Sequence, residues 1–374
     1  MARKRGKQAV PDDRGNFISE WFGHRVFPEV VTGGKSIDDQ QKETCPFLTL
    51  ATQSDTPCVK AQNAKGVCSV NSASNGERQD WLVCPHRVLG SRVLQDATNR
   101  LFGVPPGERV LLWAAPLMRD DAQHSHFREW VEGGHRGFVY IQTKLGGEIS
   151  LAPTDRSPEV SFDTTIAELA PTNGGMRIAG YAVLEVQTMD FHGTYRHAVK
   201  NLQDALRLHA GRFPSVVQQN PQWLSEKVEG PNIANVFKRT FYQMVLKFQI
   251  AGHKLCSGCV IAIPRAVWDS WQRHLGRPAL ERVGGNVFRL PRENGTQSPG
   301  RAATWIYVFD LESAAKTTPS PVKIDMVISA DAASLAYYAL RVAPLAAIEA
   351  GGAADRLLEA VRNRLLEWLP EIVA

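Results

Sequence analysis

Apolar residues along the chain fall into short runs and amphipathic stretches, and the order of these patterns predicts the secondary structure. Buried or half-buried β-strands are predicted for "ERVLLWAAP", "EVSFDTTIAEL", "MRIAGYAVLEVQT", "VIAIP", "TWIYVFDLE" and "KIDMVIS". Apolar residues at helical spacing predict helices in "SRVLQDATNRLFG", "DDAQHSHFREWVEGG", "FVYIQTKLGG", "GPNIANVFKRTFYQMVLKFQIAG" and "AVWDSWQRHL". Since strands and helices are interspersed, we expect an α/β fold with a mixed central sheet flanked by helices.

The same patterns divide the chain into four regions. Residues 1–15 begin with four basic side chains in seven positions and no apolar run follows, which is not typical of a signal peptide. This predicts a solvated, disordered arm, with contact to phosphate as the alternative. Residues 16–120 form an N-terminal region, in which periodicity is weak from about 36 to 90. We expect the core in residues 121–330 and a C-terminal helical segment in residues 331–374.

Composition and charge narrow the functional classes. The chain has 374 residues, of which 43% are hydrophobic and 22% are charged, so it can bury a sizeable core. The formal net charge of +5 and the sequence pI of about 8.9 permit an anionic partner such as nucleic acid. No apolar run is long enough to span a membrane, so we expect a cytoplasmic protein without a membrane partner.

Acidic residues accompany two of the predicted strands. Glu185 and Gln187 follow the apolar run 181–184, and side chains two apart on a strand point to the same face. Asp163 lies on the preceding strand, and the turn signal "PTNGG" allows it to lie beside Glu185. Two close carboxylates repel, so the pair needs a cation or shared protons. Mg²⁺ accepts a few carboxylates and activates water, which predicts a metal site; a solvated strand end paired with arginine or lysine is the alternative.

Four cysteines lie within 40 residues, in loop-like segments broken by proline and glycine: Cys45, Cys58, Cys68 and Cys84. In a reducing cytoplasm, disulfides are not the default. Four thiolates can close a tetrahedral site around zinc or iron, and such a site would join loops that bury little apolar surface. Because the spacings lack a C-x-x-C pair, scattered core cysteines stay open as the alternative.

A second cysteine pattern, "CSGC", contains Cys256 and Cys259 at the start of a predicted strand. A C-x-x-C pair beside a βαβ unit is one form of redox site. Only two thiols are present in this segment, and cysteines are often buried in strands, so we expect a structural role.

Two resemblances rest on these residues. The acids resemble the PD-(D/E)XK nuclease core, in which a strand acid and a following acid-x-lysine bind metal; here glutamine stands where lysine is usual. The chain also resembles the NotI-like type II restriction endonucleases from about residue 16 to about residue 310. The matching segments are "NFISEWFGHRVFPEVV", "DWLVCPHR", "KLGGEIS", "SPEVSFD", "VLEVQTMDFHGTYRHAV", "EGPNIANVFKRTFYQM" and "AIPRAVWDSW".

The second resemblance implies a homodimeric bacterial enzyme with a PD-(D/E)XK core. Such an enzyme uses Mg²⁺ to cut double-stranded DNA at a GC-rich, eight-base palindrome and leaves 5′-phosphates. The resemblance also implies a cognate DNA methyltransferase in the host, and one structural iron, with zinc as a substitute. The matching iron ligands are Cys45, Cys58, Cys68 and Cys84. Cys256 matches a family cysteine and Cys259 does not.

The catalytic positions are carried over residue by residue. Asp163, Glu185 and Gln187 match them, and Glu148 matches a further acid at the end of the helix predicted before the core strands. Mg²⁺ is expected between the two strand acids and the carbonyl of Val186, where it would polarise the scissile phosphate. Gln187 is uncharged, so we expect it to position its partners.

Base readout requires side chains that reach the major groove. Arg239, Gln243 and Lys247 lie at successive steps of four residues on a predicted helix and are candidates for this role, with a solvated helix face as the alternative. The alternative function is a non-catalytic DNA-binding metalloprotein, in which the cysteine module contacts DNA and the acids are incidental.

Overall fold

The computed structural model describes residues 15–73, 76–156, 158–292, 303–312, 317–349 and 352–371. The predicted basic arm, residues 1–15, lies outside the described residues except for Gly15. The strands are β1 (Phe17–Trp21), β2 (His24–Arg25), β3 (Val67–Ser72), β4 (Gln79–Leu82), β5 (Leu111–Ala114), β6 (Gly137–Gln142), β7 (Ile149–Leu151), β8 (Val160–Phe162), β9 (Thr164–Thr172), β10 (Gly175–Val186), β11 (Phe191–Gly193), β12 (Val228–Pro231), β13 (Cys256–Pro264), β14 (Glu281–Gly284), β15 (Val287–Arg289), β16 (Thr304–Leu311) and β17 (Val322–Ser329). The helices are α1 (Ser36–Lys42), α2 (Pro46–Thr52), α3 (Arg92–Phe102), α4 (Asp121–Glu132), α5 (Arg196–His209), α6 (Phe213–Gln219), α7 (Ile233–Ile250), α8 (Arg265–Trp271), α9 (Ala332–Tyr337), α10 (Ala343–Glu349) and α11 (Ala353–Leu366).

A nine-stranded mixed sheet forms the centre of the molecule, in the order β14-β15-β17-β16-β13-β10-β9-β6-β5. β10 pairs in parallel with β13 and antiparallel with β9, so the strand predicted to be central has a neighbour on each side. Helices α3 and α7 both contact β13, and they pack in different buried clusters. The structure thus confirms the predicted α/β class with a mixed sheet flanked by helices.

Alternation along β10 sends neighbouring side chains to opposite faces of the sheet. Ala182 and Leu184 pack in one buried cluster with helix α3, whereas Val183 packs in another cluster with helices α7 and α8. Glu185 and Gln187 have the same parity as Val183, so their side chains point towards α7. The strand pattern therefore determines which helix the acidic side chain meets.

The cysteine region contains more regular structure than its weak periodicity predicts. It holds α1 and α2, and its strands β3 and β4 join β1 and β2 in a four-stranded antiparallel sheet. Cys45, Cys68 and Cys84 are buried in the same cluster as Leu184 of the central sheet. β5, which precedes residue 121, forms one edge of that sheet. The N-terminal region therefore contributes directly to the core.

Two predicted elements are wrong. The segment "FVYIQTKLGG" is not a helix, because Gly137–Gln142 forms strand β6 between β5 and β9. Val139, Tyr140 and Ile141 favour extended backbone, and pairing with two strands outweighs the helical spacing of the apolar residues. The single strand predicted in "EVSFDTTIAEL" is two strands, β8 and β9, which separate at Asp163.

The other predicted helices form at their expected places. α3 begins after Ser91, whose side chain accepts a hydrogen bond from the Val93 N–H, and it ends at Gly103 with a φ of 65°. α4, α7, α8 and α11 also lie in the segments predicted as helical. Within the described ranges, no helix combines the length and the apolar character needed to cross a membrane.

Candidate active site and cysteine cluster

Two carboxylates meet where β8, β9 and β10 come together. Asp163 lies between the end of β8 and the start of β9, and Glu185 is the last residue but one of β10. The Asp163 N–H donates to Oε1 of Glu185 at 3.2 Å, and the Val186 N–H donates to Oδ2 of Asp163 at 3.0 Å. The structure therefore brings together the two acids that the turn signal placed side by side.

Gln187 follows the last residue of β10 and contacts helix α7. Its Oε1 accepts a hydrogen bond from the Thr240 hydroxyl, and its Nε2 donates to the Thr188 carbonyl at 2.5 Å. Its backbone N–H donates to the carbonyl of Ala262 in β13 at 2.9 Å. The side-chain amide is thus held by the protein at both of its polar atoms.

A lysine from α7 lies against the acids. Nζ of Lys247 is 2.5 Å from Oε2 of Glu185, and both side chains are buried, with 4% and 11% of their surfaces exposed. The same ammonium lies 5.5 Å from the centre of the Phe162 ring, within cation–π distance. Glu185 is therefore paired with a lysine, in a buried site and not at a solvated strand end.

Burial is the main influence on the protonation of the two acids. It raises the pKa of Glu185 to about 8; the Asp163 charge adds to this rise and Lys247 opposes it. Burial also raises the pKa of Asp163, against the hydrogen bond from Val186 and the charge of Lys247. Ionising both acids is therefore costly without a further cation.

A cavity of about 180 Å³ opens beside these groups. Its lining includes the two acids, Gln187 and the three helix residues predicted to face DNA: Arg239, Gln243 and Lys247. Arg239 and Gln243 are exposed, and Arg239 pairs with Asp190 at 2.8 Å. Lys247 is buried, so it does not lie on the exposed face that a row of base-reading side chains requires.

Glu148 does not line this cavity. It precedes β7 in an exposed loop and not at a helix end, because the helix predicted before it is strand β6. The Thr143 hydroxyl donates to its Oε2 at 3.3 Å. Burial is the main cause of the raised pKa of Asp163, and the negative charge of Glu148 raises it further. Glu148 and Asp163 therefore interact electrostatically.

The acid pair fits a magnesium ion by donor type. Mg²⁺ is commonly bound by one or two carboxylates and keeps several waters, and Asp163 and Glu185 would supply those carboxylates. The cavity of about 180 Å³ has room for several water molecules. Across the described ranges, no group of three or more histidine, cysteine, aspartate or glutamate side chains is arranged to hold a metal ion. A site with two carboxylates and waters is compatible with that finding.

The four cysteines of the N-terminal region line one small cavity of about 10 Å³, together with Lys60 and His86. None of them forms a disulfide. Nζ of Lys60 donates to the carbonyls of Val67 and Val83 at 2.7 Å each. Thiolates are donors that iron and zinc accept, but in the described part of the chain these side chains are not arranged as a metal-binding group. The four-thiolate site therefore stays a prediction.

The thiols of this cluster influence one another. Burial raises the pKa of Cys45 to about 12. A hydrogen bond with Cys84 is the main cause of the raised pKa of Cys68, and burial raises it further. The same hydrogen bond lowers the pKa of Cys84. Lys60 and His86 add to the lowering at Cys84. Cys84 thus favours the thiolate, the form in which cysteine binds metals.

Two hydrogen bonds link the cysteine cluster to the strands of the central sheet. The Met189 N–H, just after Gln187, donates to the Leu82 carbonyl at 2.7 Å, close to Cys84. Nδ1 of His86 lies 3.2 Å from Oε1 of Gln142, the last residue of β6. The cysteine cluster is therefore linked to the segment that follows β10 and to the end of β6.

Cys256 and Cys259 lie at the start of β13 and are both free thiols. Cys259 is buried beside the acids, and burial raises its pKa. The register of β13 against β10 shifts between Cys256 and Gly258, so the two thiols are separated by an irregular step of the strand. This arrangement supports the structural role expected from the sequence.

Comparison with known proteins gives no assignment. No protein-family model matches the chain, and no curated protein is similar to it at a significant level. The resemblance to NotI-like endonucleases therefore stays a prediction from the sequence segments that carry it.

Sequence reasoning missed Thr240 and misplaced Lys247. Both lie at core positions of α7, three and ten residues after Phe237, and Met244 lies seven residues after it. Polar residues at the apolar positions of an amphipathic helix indicate buried hydrogen-bond partners, because an unpaired polar group is costly to bury. That spacing is the signal that identifies both residues.

Proposed function

We propose that this protein is a type II restriction endonuclease with a PD-(D/E)XK core, which cuts double-stranded DNA in a Mg²⁺-dependent reaction. The observation that carries the proposal is the pair of half-buried Asp163 and buried Glu185, which meet where β8, β9 and β10 come together and face a polar cavity. Acids at this end of a mixed α/β sheet are the arrangement that the nuclease pattern requires. The GC-rich, eight-base palindromic site and the 5′-phosphate products come from the sequence resemblance.

The site residues have distinct roles in this proposal. Mg²⁺ bound by Asp163 and Glu185 would polarise the scissile phosphate and activate a water molecule for attack. The Val186 N–H fixes the orientation of Asp163, and the Asp163 N–H fixes that of Glu185. Gln187 joins the end of β10 to α7 and positions the strand. Glu148 adds negative charge near Asp163 and lies outside the cavity.

DNA would approach along the mouth of the cavity. Arg239 and Gln243 are exposed there, and they provide donors suited to guanine and adenine edges. The net charge of +5 favours a polyanion. A host that carries such an enzyme would require a cognate methyltransferase to protect its own sites, and both would act in the bacterial cytoplasm.

The cysteine cluster is proposed as a structural iron site, with zinc as a substitute. Four thiols from separate loops line one cavity, and thiolate donors suit both metals. Such a site would hold the segment whose Leu82 carbonyl accepts a hydrogen bond from Met189, just after the catalytic strand.

A homodimer is proposed with α11 in the interface. Leu358 is 70% exposed and Leu365 is 39% exposed, on a helix that carries several further exposed apolar side chains. The first half of α11 carries two acids and one arginine, whereas the second half with Glu367 carries two arginines and one acid. An antiparallel pair of these helices would place opposite charges together, so a second copy fits this surface.

The proposed activity is tested by incubating the protein with a sequenced GC-rich DNA library and mapping the ends. We expect cuts at one palindromic site in Mg²⁺ and none in EDTA. Specific DNA binding without cleavage in Mg²⁺ would favour the alternative, a DNA-binding metalloprotein. That alternative gives the four cysteines a DNA-contacting role and leaves the acids without one.

A further inference from the structure

Lys247 is the buried cation of the candidate active site. Its Nζ lies 2.5 Å from Oε2 of Glu185, and its side chain lines the cavity that the acids face. The other basic residue in the cavity lining, Arg239, is 59% exposed at its side chain and pairs with Asp190 at 2.8 Å. Lys247 is therefore placed to act on groups inside the cavity.

The charges at the site do not balance. Asp163 and Glu185 carry two negative charges when both are ionised, and Lys247 supplies one positive charge. A divalent cation bound by the two acids would leave the site with an excess of positive charge. Lys247 would then be repelled from the cation and attracted to an anionic phosphate. The lysine stem is long and flexible enough to move its ammonium between two neighbouring acceptors.

Gln187 is not available for the same task. Its Oε1 accepts from Thr240 and its Nε2 donates one of its two hydrogens to the Thr188 carbonyl, so both ends of the amide are restrained by the protein. An amide also carries no charge with which to neutralise a phosphate. The strand therefore lacks a cation, and helix α7 provides one.

We propose that Lys247 is a catalytic residue: its ammonium holds Glu185 while the site is free of metal and contacts the scissile phosphate once a divalent cation has taken Glu185. This inference rests on the proposed function. It assigns the positive charge of the site to a lysine of α7. In the PD-(D/E)XK pattern the lysine lies on the strand, at the position where this chain has Gln187.

The first experiment measures metal binding without DNA. Ca²⁺ binding is measured by calorimetry at one fixed pH for the parent protein, for Lys247→Met and for Lys238→Met. Lys238 is an exposed lysine on the same helix and serves as the matched control. Because Lys247 competes with the cation for Glu185, we expect Lys247→Met to bind Ca²⁺ about tenfold more tightly, and Lys238→Met to match the parent.

Unfolding in the absence of metal gives a second readout. Lys247→Met leaves the buried Glu185 and the half-buried Asp163 without this cation, so its melting temperature should fall in EDTA and rise more on addition of Ca²⁺ than that of the parent. A lysine with a merely structural role would lower stability without tightening Ca²⁺ binding. Equal or weaker Ca²⁺ binding by Lys247→Met would overturn the proposal.

Single-turnover cleavage tests the contact with phosphate. Lys247→Met should cut about 100-fold more slowly than the parent at saturating Mg²⁺, and Lys247→Arg should recover part of the rate because it keeps the charge. A rate for Lys247→Met within about threefold of the parent contradicts the catalytic role.

Two further comparisons separate the possible failures. If Lys247→Met does not fold, the double variant Lys247→Met with Glu185→Gln removes both charges and should fold; a double variant as unstable as the single one contradicts the pairing. If the parent cuts no DNA, the proposed function fails, while the Ca²⁺ and melting measurements still test whether Lys247 competes with a cation at Glu185.

Discussion

Asp163 and Glu185 illustrate what single residues decide in this molecule. Each accepts a backbone hydrogen bond that orients it, and partial or full burial raises the pKa of both, so the protein maintains two carboxylates where their ionisation is unfavourable. Such an arrangement is common at functional sites, because a substrate or metal ion supplies the missing charge.

Neutralising either acid should remove cleavage and leave DNA binding intact. We expect Asp163→Asn and Glu185→Gln to cut at least about 100-fold more slowly, because each removes a ligand of Mg²⁺. Without divalent metal, both variants should bind specific DNA as tightly as the parent or more tightly, since less negative charge faces the phosphate. Cleavage and gel-shift assays measure the two effects, and normal cleavage by either variant would refute the site assignment.

The raised pKa of Glu185 predicts a pH dependence of stability. The group has a pKa of about 8 in the folded protein against a reference value of 4.5, so the folded state binds more protons between these values. The free energy of unfolding should therefore fall as pH rises through this window, in the absence of divalent metal.

Glu185→Gln should make this pH profile flatter, because its amide does not titrate. Glu159→Gln, at an exposed site, is the control and should keep the slope of the parent. Urea denaturation at several pH values in EDTA measures the slope. An unchanged slope for Glu185→Gln would show that another group causes the dependence.

At the scale of elements, α7 and the cysteine region both support the end of β10. α7 provides Thr240 and Lys247, which contact Gln187 and Glu185. Strand β4 provides the Leu82 carbonyl for Met189. These contacts come from parts of the chain far apart in sequence, so the loss of either element would displace the acids.

Changing Cys68 to serine should loosen the cysteine region. We expect the bound metal to be lost and the free energy of unfolding to fall by about 3 kcal/mol, because a structural metal site contributes to folding. Cleavage should also fall, through the link from Leu82 to Met189. Metal analysis and urea denaturation check this, with Cys256→Ser as the control outside the cluster. If the purified parent protein does not contain about one iron or zinc atom per chain, the proposed metal site is contradicted.

At the scale of the whole molecule, α11 carries large apolar side chains that stay exposed in a single copy. Replacing Leu358 and Leu365 with aspartate should convert the proposed dimer to a monomer, because it places charges in the proposed interface. Leu208→Asp, at a side chain that is 61% exposed elsewhere on the surface, should leave the dimer intact. Analytical ultracentrifugation measures the mass of each variant. A parent protein that is already monomeric would exclude the proposed interface.

Local patterns were sufficient for the elements whose faces are clear. The apolar run of β10, the stripe of α7 and the glycine after α3 all predict structures that form, because spacing and turn residues act over a few positions. The pattern also placed Asp163 and Glu185 close together, since a turn signal joins their strands. It did not predict β6, whose extended form depends on pairing with β5 and β9.

By itself, the sequence determined the α/β class, the central strand and the acids at its end. The tertiary structure alone decided the partners of those acids. Lys247 is 62 residues from Glu185, and Leu82 is far from Met189, so no local rule connects them. Their contacts exist because β10 is buried between helix layers and each buried polar group requires a partner, which the chain supplies from wherever folding brings one near.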